Sequence, residues 1–372
     1  MERRLERTNE ADPDVPMDSP YRASSALKAV KPKAVKEAVA TLLAAASTAF
    51  VLAGCAGAGG GNSLTLYSGQ HQQTTAALAS AFQRQTGVHV QVRKDDEDSF
   101  VNEIESERSH PRADLFYTEN SPPLQALQNQ GLLAPVSGST LAQTPNQYNS
   151  AQGDWVGVSA RVSTIVYNPK LISADQLPTS VTQMAEPRYR GKLGIAPSET
   201  DFQPIVTAVD QASGPTATTS WLKGLKTNAG SHNYPNNEDL VNDVNRGTVA
   251  FGVVDQYYWY RVQAELGKAK MHSQLAYFAP RDPGYVVDVS GAAVLKSSKH
   301  QAEAQKFLAF LVSRSGQETI SKGDSYEYPL DGNVPPGAPE TPFAQLQPNP
   351  ITIAQLGDGS AAVGLLKRAG LL

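Results

Sequence analysis

Cysteine is almost missing from this chain: one residue, Cys55, in 372. A single thiol excludes an intramolecular disulfide and any cysteine-rich metal site. Charge of one sign is also missing. The 32 Lys and Arg nearly balance 36 Asp and Glu, for a net charge of −4, so no basic stripe for nucleic acid is present. No nucleophile elbow, HExxH pair or glycine-rich phosphate loop occurs, which places a secreted enzyme last among the functional readings. The apolar stretch Ala38–Leu52 is too short for a comfortable membrane span. What remains is ordinary globular composition, 40% hydrophobic and 18% charged, in a chain long enough for two domains.

The N-terminus is the first positive signal. Lys28, Lys31, Lys33 and Lys36 precede the apolar stretch, and Leu52-Ala53-Gly54-Cys55 and a glycine-rich run follow. A basic region, a short apolar region and small residues at a cleavage point make a secretory signal. The Leu-Ala-Gly-Cys ending resembles a bacterial lipobox, which implies that Cys55 is lipidated. The alternative is an amphipathic helix with a buried cysteine. Residues 1–54 then form the leader, with Met17 as a second candidate start, and 55–63 a flexible tether.

Beyond the tether, strand and helix patterns alternate. Leu64–Gly69, LTLYSG, reads as a buried strand ending in a turn. Gln72–Gly87 spaces Ala77, Leu78, Ala81 and Phe82 helically, and Gly87 is a helix stop. Val88, Val90 and Val92 alternate as a strand. The opening is thus β-α-β, the unit of a parallel sheet. Ala113–Asn120 reads as a strand running into a loop, and Trp155–Pro169 as a long extended stretch crossing between lobes. TSWLKGLKTN reads as a helix. The stretch from Glu238 to Gly267 reads as helix, strand, loop, helix. The fold class is α/β.

LTLYSGQH, ADLFYTEN, LKGLK, QYYWYR, RDPG and SGAAVLKSS occur in an order that resembles the bacterial ferric-ion-binding periplasmic proteins of iron(III) ABC importers. The resemblance spans Leu64 to the C-terminus. It implies a two-lobed, transferrin-like fold with mixed sheets and a hinge. The lobes would be 64–165 with about 288–338, and 166–287 with about 339–372. It implies Fe³⁺ as cargo, held by His71, Glu119, Tyr257 and Tyr258. It implies a monomeric carrier, not a catalyst, lipid-anchored outside the cell membrane, with a permease and ATPase as partners and no nucleic acid. A synergistic anion, phosphate or carbonate, would sit near Ser198, Thr200 and Asn237. There the pattern departs: Glu199 and Asp201 stand where small residues are usual, opposing an anion or replacing it. Asn120 stands where a glutamine is common, and Asp255 replaces another amide. Arg161 matches a family arginine near the cleft; its plain alternative is a surface salt bridge.

The donor set makes chemical sense unaided. A hard cation selects oxygen donors, and iron accepts imidazole as well. Two phenolates and one carboxylate balance three positive charges. Neighbours on a strand point to opposite faces, so Tyr257 and Tyr258 are expected on the loop after one, before the helix YRVQAELG. The other class of ligand is an organic solute, a polyamine or phosphorylated compound, clamped by the tyrosines with Trp259. Trp259 and Tyr260 otherwise read as packing, and the remaining histidines as ordinary surface or strand residues.

Overall fold

The computed structural model describes residues 63–372. The leader, Cys55 and the tether as far as Asn62 lie outside them. The strands are β1 (Ser63–Ser68), β2 (His89–Lys94), β3 (Leu115–Thr118), β4 (Val156–Tyr167), β5 (Leu193–Gly194), β6 (Phe251–Asp255), β7 (Gln274–Ala276), β8 (Val287–Val294) and β9 (Tyr328–Pro329). The helices are α1 (Gln72–Thr86), α2 (Glu97–Ser106), α3 (Ser121–Asn129), α4 (Gly138–Leu141), α5 (Phe202–Ala229), α6 (Asn237–Arg246), α7 (Gln256–Leu266), α8 (Gln301–Val312), α9 (Arg314–Lys322), α10 (Ile353–Leu356) and α11 (Ser360–Ala369).

Two mixed sheets meet in one strand. In the first, β1 pairs in parallel with β2 and β3, β3 is antiparallel to β8, and β8 is antiparallel to β4. In the second, β4 is antiparallel to β6 and β7, and β6 is parallel to β5. The strand β4 changes partner midway: Val156–Val162 face β8, and Ser163–Tyr167 face β6. All its residues are buried, as are those of β8, which is what strands covered on both faces require. This is the α/β class that the residue pattern implied and the mixed-sheet, two-lobed architecture that the resemblance implied.

The largest apolar cluster runs across both sheets, with Tyr67, Phe116, Val289, Ile165 and Phe251 among its members, and each sheet adds a smaller cluster of its own. Leu64, Leu66, Phe82, Phe307 and Leu311 share one cluster. Phe82 and Phe307 meet edge-to-face at 5.0 Å, and each such side chain contributes about 1.5–3 kcal/mol by leaving water. Val166, Leu240, Val244, Tyr257 and Tyr258 share another. Gly87 ends α1 at φ 75, a left-handed turn that glycine adopts without penalty.

TSWLKGLKTN is helical, as expected, and closes α5, which runs from Phe202 and breaks at Gly214 (φ 78, ψ 165) before Pro215. One expectation needs correction. The tyrosine doublet is not on a loop: α7 begins at Gln256, directly after β6. The reason lies across the sheet. The Gln256 side-chain carbonyl accepts the Val162 amide at 2.8 Å, so the helix's first residue caps the ladder and no loop is needed.

Candidate metal centre

His71 follows β1 and precedes α1; it occupies the helix N-cap, but its side chain does not cap. The buried Gln70 fixes it. Gln70 accepts the His71 amide at 2.7 Å and donates to Ser290 at 2.9 Å. Glu119 follows β3, and His71 Nε2 lies 2.8 Å from its Oε1. Tyr257 and Tyr258 leave the end of β6 in the first turn of α7. Neighbouring helical residues point about 100° apart. Both side chains nonetheless lean toward the helix N-terminus, and their rings lie 4.0 Å apart. The His71 ring is 5.2 Å from Tyr257 and 6.4 Å from Tyr258. All four residues proposed from sequence therefore gather at strand exits. His71, Glu119 and Tyr258 line a cleft of about 390 Å³, with Glu97, Glu199 and Glu238 on its walls.

The two hydroxyls differ. Tyr258 Oη donates to Asp201 Oδ2 at 2.7 Å. Tyr257 Oη is buried and has no hydrogen-bond partner. Burial, then Asp201 and Glu119, push both phenols well above their ordinary pKa. Burial and Asp201 raise Glu119 too. Burial and the Arg261 charge lower His71 to about 4. Without a cation the site is therefore a protonated one, with a neutral imidazole at physiological pH. A multivalent cation reverses that balance, because its charge outweighs the desolvation that keeps the phenols protonated. Among the described residues no three of His, Cys, Asp or Glu form a metal group. A cation bound between His71, Glu119 and the tyrosines would meet phenolate oxygen, a donor that suits a hard ion.

Behind the tyrosines lies Arg161, which is fully buried and so no surface salt bridge. Strand register assembles its surroundings: Arg161 is paired with Asp288 across β4 and β8, and Ser163 with Asp255 across β4 and β6. Its guanidinium reaches Glu327 at 3.2 Å, Asp201 at 3.4 Å and Asp288 at 3.5 Å. Asp255 lies 3.0 Å from Nε, too poorly aligned for a hydrogen bond. Asn120 Oδ1 accepts from Arg161 at 2.6 Å. Burial opposes the Arg161 charge, but Asp288, Asp201 and Glu327 outweigh it and raise its pKa.

Two of the residues read as an anion site are engaged with other groups. Ser198 is exposed and donates to the Pro235 carbonyl at 3.4 Å. Thr200 lines the cleft. Asn237 is buried and donates to Asp201 at 3.2 Å. Trp259 donates to Ser273 at 3.0 Å, and Tyr260 packs on Tyr326, so both are packing residues and the aromatic clamp loses its third wall.

Sequence reasoning missed two residues of the site. Arg261 Nη1 lies 2.8 Å and 3.0 Å from the two His71 ring nitrogens; it follows Tyr258 by three on the helix, a spacing that shares a face. Glu97 is buried against Asn120, accepting its amide at 2.9 Å and its side chain at 3.0 Å. Burial and Glu119 raise Glu97 to about 8. Nothing in the acidic run Asp95–Asp98 distinguishes it.

Comparison with known proteins gives a consistent result. The model of the bacterial extracellular solute-binding protein family matches residues 77–347. The chain is 35% identical over 327 residues to an Fe(3+)-binding periplasmic protein of Serratia marcescens, covering 88% of this chain and 96% of that one. It is 35% identical over 310 residues to the major ferric iron-binding protein of Neisseria meningitidis serogroup B, covering 83% and 93%. The crystal structure of iron-bound HitA from Pseudomonas aeruginosa superposes with a TM-score of 0.78 at 40% identity, over 83% of this chain and 99% of that one.

Proposed function

The chain belongs to the bacterial extracellular solute-binding protein family, and from that premise we propose that it captures ferric iron outside the cytoplasm and delivers it to a permease–ATPase complex. His71 and Glu119 come from the first sheet, Tyr257 and Tyr258 from the second. Hinge motion about β4 and β8 then opens or completes the donor set, with lobes 64–165 plus about 288–338 and 166–287 plus about 339–372. The protein is a carrier and not an enzyme: nothing is transformed, and release follows separation of the donors. It acts as a monomer held to the membrane by lipid on Cys55.

One observation carries the reading. The Tyr257 hydroxyl is fully buried without a partner, beside an imidazole, a carboxylate and a second phenol. An unsatisfied buried hydroxyl costs about 1–3 kcal/mol, and a site that retains one has a ligand to satisfy it. The test is a titration of the mature chain with ferric nitrilotriacetate, followed by visible absorbance and metal analysis. Phenolate-to-iron charge transfer colours the loaded protein. A colourless protein that retains no iron refutes the proposal and favours an organic solute.

A further inference from the structure

Glu327 stands behind the metal centre, buried in the connection between α9 and β9. Its carboxylate accepts from Ser159 Oγ at 2.6 Å and from Arg161 Nη1 at 3.2 Å. Both of its oxygens lie 3.3 Å from the amide nitrogen of Gln70. Gln70 precedes His71 and is also fully buried. Its side-chain carbonyl accepts the His71 N–H at 2.7 Å, and its nitrogen donates to Ser290 as well.

The chemistry of the pair gives it a direction. Three donors converge on Glu327, and the ionised carboxylate, which only accepts, is the form that satisfies them. A glutamine amide has one accepting end and one donating end. Glu327 therefore decides which way Gln70 faces. The nitrogen end turns to the carboxylate, and the carbonyl end is left for the His71 N–H. That bond holds the backbone from which the imidazole projects into the cleft. The other half of the donor set is held in a similar way. Gln256 precedes Tyr257, is fully buried, and is fixed by the Val162 amide and the Tyr326 carbonyl.

We propose that Glu327 is a positioning residue for iron capture, acting through the Gln70 amide to hold His71 where it ligates. The inference rests on the ferric-iron reading above. In Glu327→Gln the new side-chain carbonyl has to serve Ser159 and Arg161, both donors. Its NH2 then faces the Gln70 nitrogen. Gln70 relieves that clash only by turning over, which sets its own NH2 against the His71 N–H and displaces the histidine.

The test is a double-variant cycle on the mature chain. Wild type, Glu327→Gln, His71→Ala and the double variant are titrated with ferric nitrilotriacetate while the visible band is followed, and metal-free melting is recorded for each. Glu327→Gln is expected to bind iron at least about tenfold more weakly than wild type. In the His71→Ala background the same change is expected to cost less than about twofold, because no imidazole remains to be positioned. A residue that only stabilises the fold would weaken binding by the same factor in both backgrounds, and that result overturns the inference. So does wild-type affinity in Glu327→Gln or in His71→Ala. Gln70→Met keeps the length of the side chain without its amide and carries the same cycle if Glu327→Gln does not fold. If neither folds, both are folding residues and the inference fails. A wild type that takes up no iron overturns the ferric reading and this inference together.

Discussion

Removing one oxygen atom from each tyrosine separates their roles. Tyr257→Phe deletes a buried hydroxyl that has no partner. The metal-free protein should therefore gain about 1–3 kcal/mol, the penalty of an unsatisfied buried polar group. Tyr258→Phe deletes a hydroxyl that donates to a carboxylate at 2.7 Å. Hydrogen bonds to charged groups contribute about 1.5–3 kcal/mol, so that variant should lose stability by such an amount. For a folded body of this size, 1 kcal/mol moves the melting temperature by roughly 1–2 °C. Thermal melts in a strong chelator should therefore rise by a few degrees for Tyr257→Phe and fall by a few for Tyr258→Phe. Iron binding should move differently. Each variant loses an anionic donor, so both should bind iron more weakly than the about 10–100-fold loss typical of an outer-sphere partner, and both should lose colour. The combination matters: Tyr257→Phe should be more stable and less functional at once, the trade expected of a site that stores unsatisfied polarity for its ligand. If Tyr257→Phe melts below wild type and binds iron as tightly, the hydroxyl is a packing atom and the reasoning fails.

Stability of the metal-free protein should fall as pH rises, most steeply between 6.5 and 8. Burial raises Glu97 and Glu199 to about 8, so the folded state keeps protons that the unfolded state gives up near 4.5. His71, lowered to about 4, works the other way only up to 6.5, its unfolded value. The expected loss is at most a few kcal/mol, and melts that improve from pH 6.5 to 8 contradict it. Iron should leave in acid, because protons compete for the phenolates and carboxylate; a visible band constant from pH 7 to 4 contradicts this. His71→Ala should weaken binding but keep the band, since imidazole is not the chromophore; loss of colour at saturating iron contradicts it. Cys55→Ser should move the protein from the membrane to the soluble fraction, because two acyl chains anchor stably; unchanged co-sedimentation contradicts it.

The sequence was legible where chemistry or periodicity is local. Val88, Val90 and Val92 alternate, α1 stops at Gly87, and His71, Glu119, Tyr257 and Tyr258 each sit at a strand end. It was not legible where a side chain's partner is distant in sequence. The start of α7 depends on Gln256 reaching Val162 across the sheet. The burial of Arg161 depends on Asn120, Asp201, Asp255, Asp288 and Glu327, which only the tertiary fold brings together. Asp201 was the hardest to place, since an aspartate before a helix reads as a cap. Yet the local rule is broken in a consistent way. Asp96, Asn236, Ser313 and Thr352 cap their helices as their positions predict. Asn120, Asp201 and Asp255 occupy N-caps without capping, and their side chains go instead to Arg161, Glu97, Tyr258 and Asn237. Each forgone cap costs about 0.5–2 kcal/mol. Ser137 also forgoes its cap, at the short α4, and what sets the other three apart is that all of their side chains face Arg161. The partial positive charge of these three helix N-termini favours the carboxylates gathered there, and their freed carboxyl and amide groups suit the proposed cation-binding centre.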